Sequence, residues 1–143
     1  MTPINADMTS LEIAPEVYSQ LVLAAKAEAP NEACGLLAGK DRTVTRYYKM
    51  TNADASPDHF TMIPEEQFAA VKDMRKSGVR MLAIWHSHPA SPARMSDEDM
   101  KLAFTPDTVY VILSLATPDA PSLRGYQITD NKPVEIKLNI TKL

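Results

Sequence analysis

The chain has 143 residues, of which 45% are hydrophobic, and its formal net charge at pH 7 is -3. This length fits one domain, residues 1–143, with a buried core. The absence of a basic cluster argues against nucleic acid as a partner, and no apolar run is long enough to span a membrane. One cysteine permits no intrachain disulfide, and residues 1–10 lack the pattern of a secretory signal, so a cytoplasmic location is expected.

The first half of the chain alternates apolar runs with turn residues. Pro15 is a favourable first helical residue, and Pro30 ends the amphipathic stretch that follows it. Gly39, Lys40 and Asp41 form a turn between two apolar runs. The predicted elements are the strand Ser10–Ile13, the helix Glu16–Ala29, the strands Cys34–Ala38 and Thr43–Met50, a polar loop over 51–58, and a return to the sheet at Phe60–Ile63.

In the second half, Pro64 opens a helix that Gly78 ends, and the apolar run Val79–Trp85 predicts a central strand. Ser96 followed by acidic residues is typical of a helix start, with Ser96 as the N-cap. The predicted elements are the helices Glu65–Ser77 and Asp97–Phe104 and the strands Thr108–Leu115, Leu123–Thr129 and Val134–Ile140. The overall pattern is a sheet flanked by helices.

His86 and His88 follow the apolar run directly. Alternate side chains of a strand share a face, so both imidazoles can point at one spot. Asp99, in the first turn of the next helix, can supply a third ligand, because catalytic zinc usually has three protein ligands and an open position. In a blander interpretation, backbone carbonyls satisfy the histidines, and Asp99 only pairs with Ser96 in a capping box.

A metal-dependent hydrolase also needs a general base. The sequence contains no His-Glu-x-x-His helix, so the base must come from a carboxylate distant in sequence. Glu32 is the best candidate, because it lies where a polar helix end enters an apolar strand. It can reach the histidines only if the strand after it pairs near their strand. A solvated glutamate at a helix exit is the alternative.

The order Glu32, His86-x-His88, seven residues, Ser96, two residues, Asp99 resembles the signature of the JAMM (MPN-plus) metalloproteases. The resemblance continues through Glu32–Leu37, Phe60–Pro64 and Leu123–Tyr126 and so covers nearly the whole chain. It implies a mixed α/β (α+β) fold, MPN/cytidine-deaminase-like, with a central curved, mostly antiparallel β-sheet flanked by helices.

The resemblance also implies an activity. One Zn²⁺ ion would be bound by His86, His88 and Asp99, and Glu32 would activate a zinc-bound water as general base and then act as acid. Ser96 would stabilise the tetrahedral oxyanion, although an N-cap serine requires no catalytic role. A binding module without catalysis and a purely structural zinc site remain rival interpretations; structural zinc usually has four closed ligands.

The short chain is similar to the compact prokaryotic branch of the family, whose members act on ubiquitin-like or sulfur-carrier proteins. This similarity implies hydrolysis of the amide after a C-terminal Gly-Gly, with the tail added as a strand near Met50–Ile63. The released group stays open, whether one amino acid, a peptide or a lysine-linked protein. A general small-peptide metallopeptidase is the alternative, and the sequence is compatible with a homodimer.

Three other residues are expected to lie outside the site. His59 is predicted to face solvent or a hydrogen-bond partner. Cys34 is predicted to be a small buried hydrophobic residue without nucleophilic function. Trp85 should face away from the histidines into the core, because it alternates with them on one strand.

Overall fold

The structure, a computed structural model, describes residues 10–103 and 108–141. The helices are α1 (Pro15–Glu28), α2 (Pro64–Ser77) and α3 (Asp97–Leu102). The strands are β1 (Ser10–Ile13), β2 (Cys34–Lys40), β3 (Thr43–Met50), β4 (Arg80–His88), β5 (Val109–Ser114), β6 (Ser122–Thr129) and β7 (Lys132–Ile140). Among the described residues, no helix is long and apolar enough to cross a membrane.

The two long helices begin and end within one residue of where the sequence predicts. Each has its proline in the first turn, where the missing N–H leaves no helical hydrogen bond unmade. Gly78 ends α2 with a positive φ of 72°, a conformation that glycine adopts without steric cost. The third helix ends at Leu102. Its predicted end, Phe104, lies outside the described residues.

The seven strands form one closed sheet in the order β1-β3-β2-β4-β5-β6-β7. The predicted mixed α/β class is confirmed, and four of the seven strand pairings are antiparallel, but the sheet is a closed barrel and not the expected curved sheet flanked by helices. Strand β1 pairs in parallel with both β3 and β7, and β4 pairs in parallel with β5. The four residues of β1 close the barrel, and their apolar alternation carries no information about which strands they join.

The predicted strand at Phe60–Ile63 is absent, and the chain over 61–63 runs into α2 without strand structure. Its backbone groups bond within the loop: the N–H of Thr61 donates to Oδ1 of Asn52, and its carbonyl accepts from the N–H of Ala53. With those groups satisfied locally, this segment does not join a sheet ladder. The predicted loop therefore extends to Ile63, and it is called the 51–63 loop below.

Two hydrophobic clusters lie on opposite faces of β2 and β4. One contains Trp85 with the buried side of α1, and the other contains Cys34 with Met74 of α2. Trp85 is fully buried and meets the ring of Tyr47 edge-on, so the prediction that it faces the core is confirmed. The histidines that alternate with Trp85 therefore point to the other face.

Candidate active site

The last residues of β4 carry the two histidines. His86 and His88 are buried and lie on one face of the strand, as their spacing predicts. The ring of Phe60, from the 51–63 loop, stacks on the ring of His86 with 4.9 Å between centroids. This packing limits the rotation of the imidazole.

The segment between β4 and α3 is held by three hydrogen bonds to backbone carbonyls. Nδ1 of His88 lies 2.8 Å from the carbonyl oxygen of Pro92. The hydroxyl of Ser114 donates to the carbonyl of Ser91, and that of Tyr126 donates to the carbonyl of Ala93. Because both hydroxyls come from strands, the segment that brings α3 back to the histidines is fixed on the sheet.

Ser96 and Asp99 form a reciprocal capping box at the start of α3. Oγ of Ser96 accepts from the N–H of Asp99 at 3.0 Å, and Oδ2 of Asp99 accepts from the N–H of Ser96 at 3.0 Å. The predicted N-cap is thus confirmed. The cap uses Oγ of Ser96 as an acceptor and leaves the hydroxyl hydrogen free to serve as a donor.

The carboxylate of Asp99 also faces both histidines. Oδ1 lies 3.2 Å from Nε2 of His86, and Oδ2 lies 2.9 Å from Nε2 of His88. The two Nε2 atoms are 3.1 Å apart. Asp99 is therefore more than the capping partner of Ser96, because one carboxylate joins the helix start to both imidazoles.

Glu32 reaches this group through sheet pairing. Strand β2, which begins two residues after it, is antiparallel to β4 with Cys34 opposite His86. Ser87 strengthens the pairing: its N–H donates to the carbonyl of Ala33, and its Oγ accepts from the N–H of Ala33 at 2.8 Å. The predicted pairing is confirmed, and Glu32, His86, His88 and Asp99 each present a ligand atom within 4.8 Å of the others.

Burial dominates the electrostatics of Glu32. Its side chain has lost nearly all contact with solvent, and this raises the pKa of Glu32 to about 8. The nearby His88 lowers the pKa, and the charges of Asp99 and Asp58 raise it. Oε1 of Glu32 is buried and has no hydrogen-bond partner in the described part of the chain. With this pKa, the carboxyl group of Glu32 can gain or lose a proton near neutral pH.

The pKa values of the other three groups are shifted by burial and by one another. Burial lowers the pKa of His86. At His88 burial also lowers the pKa, but the bonds to Asp99 and to the Pro92 carbonyl outweigh it, so the net shift is upward. Burial raises the pKa of Asp99, yet the bonds from both histidines outweigh it and hold this pKa well below its usual range.

The donor set fits a zinc ion. When His88 is neutral and Nδ1–H donates to the Pro92 carbonyl, its Nε2 presents a lone pair toward Asp99 and His86. Two imidazole nitrogens and a carboxylate facing one point are ligands that Zn²⁺ accepts. Glu32, with its unpartnered oxygen, stands beside them as a fourth polar group.

The residues expected outside the site do lie outside it. His59 pairs with Asp54 at 2.9 Å, and both side chains are partly exposed. Cys34 is fully buried, and burial raises the pKa of its thiol to about 12, which disfavours the nucleophilic thiolate.

Sequence reasoning missed two residues that support the site, Asn52 and Ser87. Asn52 is buried in the 51–63 loop and donates from Nδ2 to the carbonyl of Glu32. An asparagine followed two residues later by an aspartate is a turn signal, and Oδ1 of Asn52 accepts from the N–H of Asp54. That signal could have located the turn, although it does not indicate the contact with Glu32.

Comparison with protein families identifies residues 14–128 as matching the model for prokaryotic homologs of the JAB domain. The chain belongs to this family. It is 34% identical over 134 residues to a CysO-cysteine peptidase from Mycobacterium tuberculosis, with 92% of each chain covered. A probable TtuB-protein conjugate cleaving protease from Thermus thermophilus is 40% identical over 77 residues, 53% of this chain and 51% of that one. The chain is accordingly a hydrolase of the JAMM type.

Solved structures agree with the fold. A solution structure of a protein from Desulfitobacterium hafniense is 43% identical and superposes with a TM-score of 0.87, covering 93% of this chain and 94% of that one. The crystal structure of a JAB1/MPN domain protein from Archaeoglobus fulgidus has 20% identity and a TM-score of 0.59, covering 91% of this chain and 98% of that one. The expected MPN fold is therefore confirmed, here with its sheet closed.

Proposed function

We propose that this prokaryotic JAB hydrolase is a zinc-dependent peptidase or isopeptidase that cleaves the amide bond after the C-terminal Gly-Gly of a ubiquitin-like or sulfur-carrier protein. The observation that carries the proposal is the buried convergence of Glu32, His86, His88 and Asp99, with ligand atoms within 4.8 Å of one another. The relatives named as a CysO-cysteine peptidase and a probable TtuB-protein conjugate cleaving protease support the substrate class.

In this proposal His86, His88 and Asp99 hold one zinc ion. When bound, the ion supplies a Lewis acid that polarises the scissile carbonyl and lowers the pKa of water. Glu32 takes a proton from the attacking water and delivers it to the departing nitrogen. The second proton of the water also ends on that nitrogen, so water and the amide become a carboxylate and an ammonium group. The raised pKa of Glu32 suits this double role, because a group that titrates near the working pH both accepts and donates protons.

Ser96 is proposed to donate its hydroxyl hydrogen to the oxyanion that develops on the scissile carbonyl. The capping bond uses Oγ as an acceptor, so this donation does not compete with it. A donor fixed by a helix start needs little reorganisation when charge develops in the transition state. Both roles of Ser96, cap and oxyanion donor, are thus compatible in one geometry.

The Gly-Gly tail is proposed to add to the open edge of β3. Within the described residues, β1 pairs with β3 only at Thr43 and Val44, so on that side residues 45–50 form no strand pairing. This edge leads into the 51–63 loop, which contacts His86 through Phe60. An extended tail pairing along 45–50 approaches the site in the manner of strand addition.

The test is mass spectrometry of a ubiquitin-like carrier extended beyond its Gly-Gly end. The zinc-loaded protein is expected to release the extension at that junction, whereas the chelated protein leaves it intact and the Glu32→Gln variant releases it far more slowly. A carrier with the junction glycines replaced by alanines serves as the control substrate. Equal cleavage of that control and of unrelated peptides supports a general peptidase, and no zinc binding with no cleavage supports a scaffold.

A further inference from the structure

A depression of about 570 Å³ opens next to the site, a size typical of ligand pockets. We call it the proline pocket. Among the described residues, Asp58 is the only charged side chain that lines it, and no lysine or arginine does. The other residues that line it are three rigid prolines and three small residues: Pro30, Pro57, Pro89, Ala29, Ala90 and Ser91.

Four of the residues that line the proline pocket lie close to a residue of the site. Pro89 follows His88 directly, and Pro30 precedes Glu32 by two residues. The carbonyl of Ser56, beside Pro57, accepts from the N–H of Glu32 at 2.8 Å. Asp58 is close enough for its charge to act on Glu32. The pocket therefore borders the position at which Glu32 is proposed to deliver a proton to the departing nitrogen.

We infer that the proline pocket receives the leaving group, and that it favours the aliphatic stem of an isopeptide-linked lysine over a single amino acid with a free carboxylate. This inference rests on the proposed function. Glycine has no side chain, so a Gly-Gly tail cannot fill an apolar pocket, which is left for the group after the scissile bond. Methylene groups of lysine pack on proline and alanine, whereas a free carboxylate meets the charge of Asp58 and finds no cation among the described residues that line the pocket.

The test compares two substrates built on one carrier. In the first, Gly-Gly is joined to Nζ of a lysine whose own amino and carboxyl groups are blocked; in the second, it is joined to the α-amino group of norleucine with a free carboxylate. Wild type is expected to show the higher kcat/KM on the first. Asp58→Asn is expected to raise the relative kcat/KM of the second by about two- to fivefold, the size of an exposed charge interaction.

Two further variants complete the design. Asp41→Asn makes the same charge change in the β2–β3 turn, where φ of 54° suits asparagine, and should leave the substrate ratio unchanged. Ala90→Leu narrows the exposed rim of the pocket and should lower kcat/KM for the lysine-linked substrate. A wild-type preference for the norleucine substrate, or a ratio that Asp58→Asn does not move, overturns the inference. Failure of both substrates in wild type overturns the proposed function instead.

A second inference comes from Asn52, whose side-chain amide makes two hydrogen bonds as donor and two as acceptor. Nδ2 donates to the carbonyls of Glu32 and His59, both at 3.0 Å, and Oδ1 accepts from the N–H groups of Asp54 and Thr61. The N–H of Glu32 also bonds to the same loop, at Ser56. Both backbone polar groups of Glu32 are therefore held by the 51–63 loop.

The structure assigns Asn52 the role of a positioning residue for Glu32. A side chain bonded to the carbonyl of the base fixes the backbone from which the carboxylate extends, and small misplacements of a base are costly in rate. Asn52→Ala is expected to lower kcat by about tenfold, the rate equivalent of a lost hydrogen bond, with zinc content and KM nearly unchanged.

A double-mutant cycle with Glu32→Gln separates positioning from general stabilisation. If Asn52 acts through Glu32, adding Asn52→Ala to Glu32→Gln causes no further loss of kcat per folded, zinc-loaded molecule. Asn139→Ala is the matched control, since that amide bonds Glu12 at 3.1 Å on β1, away from the site. An equal loss in both backgrounds, or full kcat in the single variant, overturns the role.

Discussion

The two halves of the site are built differently. The half proposed to bind zinc, His86 to Asp99, is called the ligand half; it lies within one stretch of chain, and its polar atoms bond mainly to one another and to the capping box. The base half is Glu32, the proposed general base, which is placed by strand pairing and has a buried oxygen without a hydrogen-bond partner in the described part of the chain. Nδ1 of His86 is likewise buried without a partner among the described residues, so the difference lies in the chemistry of the groups. Two imidazoles and a carboxylate that face one point favour holding a metal ion, and a desolvated carboxylate favours proton transfer, so the comparison favours different tasks for the two halves.

The largest expected effect comes from breaking the ligand half. Asp99→Ala removes a proposed zinc ligand and half of the capping box, so zinc should be lost and activity should fall to background. Metal content by mass spectrometry and kcat on the carrier substrate test this. Asp97→Ala, an exposed acid in the same helical turn, is the control and should retain both. A variant at Asp99 with one zinc per chain and normal turnover contradicts the ligand assignment.

Breaking the base half should separate chemistry from binding. Glu32→Gln keeps the shape of the side chain but cannot accept the proton, so kcat is expected to fall by about 10²- to 10⁴-fold with zinc still bound. Glu16→Gln, on the exposed face of α1, should change nothing. If zinc is lost together with the rate, Glu32 belongs to the ligand half and the comparison fails.

Ser96 has two roles, helix cap and proposed oxyanion donor, and Ser96→Ala measures the balance between them. Removal of the oxyanion donor is expected to lower kcat by about 10²-fold, and removal of the cap should cost about 1 kcal/mol of unfolding free energy. Ser96→Thr keeps a hydroxyl and should recover most of both. An unchanged rate per folded molecule, with stability lost, leaves Ser96 as a cap only.

The last expected effect concerns stability and not rate: a pH dependence of the free energy of unfolding in the presence of a metal chelator. The folded pKa of Glu32 is about 8, above the ordinary value of 4.5, so the folded state binds the extra proton between these values. The contribution of Glu32 is fully present below pH 4.5 and is lost as pH rises toward 8. Urea unfolding at pH 5, 6.5 and 8 should show a fall in wild type that is weaker in Glu32→Gln. Parallel curves contradict the desolvated base.

Prediction from sequence succeeded where a property is local. The period of two on β4 places His86 and His88 on one face, and the three-residue spacing of Ser96 and Asp99 makes a capping box; both follow from backbone geometry alone. The helix boundaries at Pro15, Pro64 and Gly78 follow from the restricted φ of proline and the freedom of glycine.

Prediction failed where the partner of a segment decides its structure. Phe60–Ile63 has strand-forming residues, but its backbone bonds to Asn52 and Ala53 keep it in a loop. Nothing in the four residues of β1 specifies that they pair with both β3 and β7 and so close the sheet.

The sequence by itself determined the identity and local spacing of the proposed zinc ligands, because two residues on a strand and three on a helix cover short, fixed distances. Only the tertiary structure decided that Glu32 lies beside them, that its carboxylate is buried, and that Asn52 and the proline pocket adjoin it. Contacts between residues far apart in sequence depend on how strands pair and loops pack, and no local period encodes them.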